Sequence, residues 1–72
     1  MDQELVKILL TLKSTAQKLD IGNISTDLNL DTSIELNELK HCWEAIVRND
    51  NKLDIYRIHG ESIEFKYTDT LA

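Results

Sequence analysis

Leu53 to Thr68 constrains the fold more than any other stretch, because its pattern, its charges and its turn agree on one arrangement. Ser62–Thr68 alternates apolar with polar residues, and Leu53–His59 does so apart from the adjacent Ile55 and Tyr56, the period of half-buried strands. Gly60-Glu61 between them suits a two-residue hairpin turn with glycine first. That turn sets Ile58 against Ile63 and Tyr56 against Phe65 on one side. On the other side Arg57 meets Glu64, a complementary pair. A β-hairpin over about residues 53–68 follows.

Upstream the period changes. Leu5, Ile8, Leu9, Leu12, Ala16 and Leu19 recur at helical spacing, with Asp2 placed as cap and Glu4 in the first turn. A helix over about residues 2–20 is expected, with Gly22 as its stop. Asn23 to Asp31 alternates again, with Ile24, Thr26, Leu28 and Leu30 on one face, and reads as a strand over about 23–31. Thr32 and Glu35 have capping-box spacing and predict a second helix over about 33–49. In that helix Leu36, Leu39, Trp43, Ile46 and Val47 face inward, and Asn49-Asp50-Asn51 ends it. The expectation is an α+β chain forming a single domain over 1–72, in the order helix, strand, helix, hairpin.

At 72 residues such a domain buries only about 60% of the surface its unfolded chain exposes, so its core needs reinforcement. A single cysteine excludes an intrachain disulfide, and no Cys/His cluster has zinc spacing. Self-association is the remaining route. Val6 and Leu10, one helical turn apart and outside the main stripe, read either as additional core or as a homodimer seam.

The balance of 8 basic against 13 acidic residues, net −5, repels nucleic acid and anionic lipid. No apolar run is long enough to span a membrane, and the lone cysteine fits the reducing cytoplasm. The outer face of the second helix carries Glu35, Glu38, Lys40, His41, Glu44 and Arg48, laced by the spacings Lys40–Glu44 and Glu44–Arg48. It reads as a solvated helix face or as a mixed-charge surface for a protein. Cys42 lies on the inward arc, where a thiol is an inert small hydrophobe, and His41 points away from it. Nothing here asks for catalysis or a cofactor.

Asp27-Leu28-Asn29-Leu30-Asp31-Thr32-Ser33-Ile34-Glu35-Leu36-Asn37-Glu38 resembles an EF-hand calcium loop, with oxygen ligands at the first, third and fifth places and Glu38 at the twelfth. Thr32 stands where that loop takes glycine. The order of elements from Asp2 to Tyr67 resembles the winged-helix superfamily, with its middle helix missing or reduced to a turn. The resemblance implies a recognition helix over Ser33–Arg48, with Asn37, Lys40, His41 and Glu44 toward a DNA groove, and a wing with Arg57 and Lys66 near phosphates.

Three functions are therefore expected, in this order. The first is a small acidic, non-enzymatic interaction or regulatory module, self-associating, that meets a basic patch on another protein through Glu38, His41, Glu44, Arg48, Arg57 and Lys66. The second is a winged-helix-type DNA-binding regulator. Calcium binding at 27–38 is the third.

Overall fold

A computed structural model describes residues 2–26 and 31–71. Among them one helix, α1 (Gln3–Leu19), is followed by five strands: β1 (Asn23–Thr26), β2 (Asp31–Asn37), β3 (Cys42–Asn49), β4 (Lys52–His59) and β5 (Ser62–Thr70). The strands form one sheet in sequential order, each antiparallel to the next. The winged-helix order does not form, and with it goes the recognition helix.

α1 starts where the sequence places it. Asp2 accepts from the Glu4 N–H at 3.0 Å and caps the first turn. It ends earlier than the Gly22 stop. Asp20 takes the left-handed conformation (φ 54°), and the N–H groups of Asp20 and Ile21 reach Gln17 O and Ala16 O at 3.2 and 3.0 Å. These are the paired bonds of a Schellman ending, which aspartate can serve because its short polar side chain tolerates positive φ. Gly22 acts further along the chain, where its carbonyl accepts the Leu36 N–H at 2.8 Å and ties the helix exit to β2.

The expected second helix is a pair of strands. Thr32, Ile34 and Leu36 on β2 and Trp43, Ala45 and Val47 on β3 stand opposite each other as Thr32↔Val47, Ile34↔Ala45 and Leu36↔Trp43. All six point toward α1, whereas the expected helix would have buried Leu39 and Ile46 beside Leu36, Trp43 and Val47. Leu39 is instead 94% exposed in the turn, and Ile46 lies on the far face of the sheet. Thr32 is no helix cap; it is 1% exposed within β2. The physical reason is non-local. A strand here gains a ladder on each side, β2 with β1 and β3, and β3 with β2 and β4, and no isolated helix can match that pairing.

Leu5, Leu9, Leu12 and Ala16 of α1 fill one side of the core, against Ile34, Trp43, Ala45, Val47, Tyr56 and Ile58 of the sheet. Ile24, Ile34, Ala45, Tyr56 and Phe65 make one continuous cross-strand row on this inner face. Lys13 Nζ donates to Gly60 O and fastens the helix over the β4–β5 turn. The hairpin has the expected register, with Ile58↔Ile63, Arg57↔Glu64 and Tyr56↔Phe65, and Gly60 at φ 60°. Beyond it, Ile55 pairs with Tyr67, so Lys66 is the extra residue of a β-bulge and Tyr67 turns to the outer face.

Candidate functional site

Antiparallel register alternates side chains between the two faces of the sheet, and α1 covers only the inner one. The outer face is organised in rows. Glu35, Glu44, Arg57 and Glu64 stand side by side across β2 to β5. The adjoining row is Ser33, Ile46, Ile55 and Tyr67, which is apolar from β3 onward. Ile55 in its middle is 8% exposed, while Tyr67 at the edge is 53% exposed. An open groove of about 710 Å³ runs over Glu35 and Glu44 of the first row and over the whole second row, with Asn37 and Leu39 among the residues lining it near the β2–β3 turn.

The electrostatics of the charged row are uneven. Glu35 and Glu44 are direct cross-strand partners, an arrangement in which like charges repel. Asn37 relieves part of this by donating from Nδ2 to Glu44 Oε1 at 2.6 Å. Arg57 lies between Glu44 and Glu64 in the register, yet its Nε is buried without a hydrogen-bond partner among the described residues. Glu64 is engaged instead by Lys66, whose Nζ is 3.2 Å from Glu64 Oε1. An unsatisfied donor and a pair of like charges thus lie within one row.

Tyr56 titrates away from the ordinary phenol value. Burial holds its phenol above the ordinary range near 10, and the neighbouring Asp54 carboxylate adds to the effect. Asp54 itself accepts from Thr68 Oγ1 at 2.7 Å. Tyr56 sits on the inner face and packs edge-on against Phe65, ring centres 5.5 Å apart, so it belongs to the core and not to the groove.

The residues expected to make an interaction face are partly reunited by this geometry. Glu44 and Arg57 are neighbours on the outer face, and Arg48 stands on it one row beyond Ile46. Glu38 and His41 lie apart in the exposed β2–β3 turn, where His41 takes φ 53°. Lys66 marks the bulge on β5. Of the seam pair, Leu10 is half-buried and packs against the core, and Val6 is half-buried. The calcium loop has no support as a loop: Asp31 to Asn37 is strand β2, and Asp27 to Leu30 lies outside the described residues. Among the described residues no cluster of His, Cys, Asp or Glu could hold a metal ion. Cys42 is a buried free thiol paired in register with Asn37.

The apolar row is what sequence reasoning missed. One signal for it exists, since a strand that turns Tyr56 and Ile58 inward must turn Ile55 outward. The placement of Tyr67 has no such signal, because it depends on the bulge. Comparison with protein-family models, curated proteins and solved structures finds no match in any of the three. Among the described residues no helix is long and apolar enough to cross a membrane.

Proposed function

We propose that the chain is a non-enzymatic interaction module whose open sheet face receives a basic, partly apolar segment of another protein. The observation that carries this reading is the direct pairing of Glu35 with Glu44 on the uncovered face. Like charges placed opposite cost stability within the domain, and a cation laid between them removes that cost. Beside them Ile46, Ile55 and Tyr67 offer apolar area to the same segment, so charge and burial act on adjoining rows. An acidic groove of this kind discriminates against phosphate, in keeping with the net charge of −5. A reducing compartment such as the cytoplasm suits the buried free thiol of Cys42.

The test is isothermal titration of the intact chain with a short synthetic peptide of alternating Lys and Val, alongside a Glu-Val counterpart. The Lys-Val peptide binds, the Glu-Val peptide does not, and Glu35→Lys with Glu44→Lys weakens binding at least about tenfold. Equal binding by the parent and the doubly reversed variant would contradict the proposal.

A further inference from the structure

The groove is not the only unpartnered surface. β5 is the longest strand among the described residues and forms an edge of the sheet, with every residue but Ile63 exposed. Its outer edge presents a row of backbone donors and acceptors with no neighbouring strand among the described residues. Phe65 and Tyr67 on it are 50% and 53% exposed. Edge strands are ordinarily kept short or guarded; this one is long and carries large apolar side chains, and its guards are Lys66 and the bulge it forms.

We infer that β5 pairs antiparallel with β5 of a second copy of this chain over Glu64–Lys66, in a register centred on Phe65, to give a two-fold dimer. The occupant is named by the strand's own sequence. Around Phe65 the residues read Glu64-Phe65-Lys66, which is charge-complementary to itself when reversed. In an isologous antiparallel pair Glu64 of each copy faces Lys66 of the other, and the two Phe65 rings meet. The faces agree with this register. Lys66 Nζ already lies 3.2 Å from Glu64 Oε1, so both charged groups lie on one side of the strand. Phe65 is on the inner side, edge-on to Tyr56, and pairing extends that stack into a row of four rings across the junction.

The bulge at Lys66 stands beside the centre of this register and sets Ile63 of one copy, on the inner face, against Tyr67 of the other, on the outer face, so the pairing is confined to Glu64–Lys66. The pairing therefore depends on the Glu64–Lys66 exchange and on Phe65. This inference goes beyond the groove and stands independently of it, since neither Glu35 nor Glu44 takes part.

Sedimentation equilibrium over a range of concentrations tests it, using the intact chain, Lys66→Glu, and Glu64→Lys combined with Lys66→Glu. The parent sediments at twice the monomer mass at high concentration. Lys66→Glu sets carboxylate against carboxylate at both symmetric positions and weakens the dimer about tenfold or more, while the double exchange restores it. Both positions are exposed, and circular dichroism confirms that each variant keeps its strands. A parent that stays monomeric at the highest concentration overturns the inference, as does a dimer indifferent to Lys66→Glu or one that the double exchange fails to restore.

Discussion

The side-chain amide of Asn37 makes two bonds at once: Nδ2 donates to Glu44 Oε1 at 2.6 Å, and Oδ1 accepts from the Lys40 N–H at 3.2 Å. One residue thereby closes the β2–β3 turn and holds Glu44 in place on the outer face. Asn37→Ala removes both bonds and is expected to cost about 1–2 kcal/mol, measured by urea unfolding. Faster hydrogen exchange at the Lys40 amide should accompany the loss.

Glu35→Lys turns a repulsive cross-strand pair with Glu44 into an attractive one. Thermal unfolding should show a gain of about 0.5 kcal/mol, small because Glu35 is exposed and the pair is screened. The same variant should bind the Lys-Val peptide more weakly than the parent. A loss of stability would mean that the two carboxylates do not repel in the folded chain.

Trp43, 7% exposed, belongs to the core and stands against Leu36 and Ile58 in register. Trp43→Ala is expected to cost about 3–5 kcal/mol. In a domain of 72 residues that is enough to unfold a large share of the molecules at room temperature, as circular dichroism would report.

Stability should fall in alkali because of Tyr56. Its folded phenol titrates above its unfolded value, chiefly through burial and then through Asp54. Between those two values the unfolded chain has released a proton that the folded chain keeps. The stabilisation is complete below about pH 10 and is lost as pH rises from there through the folded value. Tyr56→Phe should flatten this limb of the stability profile. An unchanged profile in that variant would assign the alkaline loss to other groups.

Local signals reveal the helix start and the last hairpin, because each depends on residues close in sequence. Asp2 caps its own helix, and Gly60 at φ 60° fixes the register of the strands it joins. The stretch from Thr32 to Asn49 is ambiguous, since Leu36, Trp43 and Val47 satisfy both the helical and the strand period. What decides it is pairing with β1 and β4, which no local period reports. The site is legible to the same extent. Glu44 and Arg57, expected to serve recognition, do share a face, but the apolar row depends on a register and a bulge that only the assembled sheet reveals.

The most direct measurement is an amide NMR titration of the intact chain with the Lys-Val peptide. Shifts centred on Ser33, Glu35, Glu44, Ile46 and Ile55 are predicted, weakening as salt rises. Shifts confined to α1, or to β5 alone, would contradict a groove on the open face.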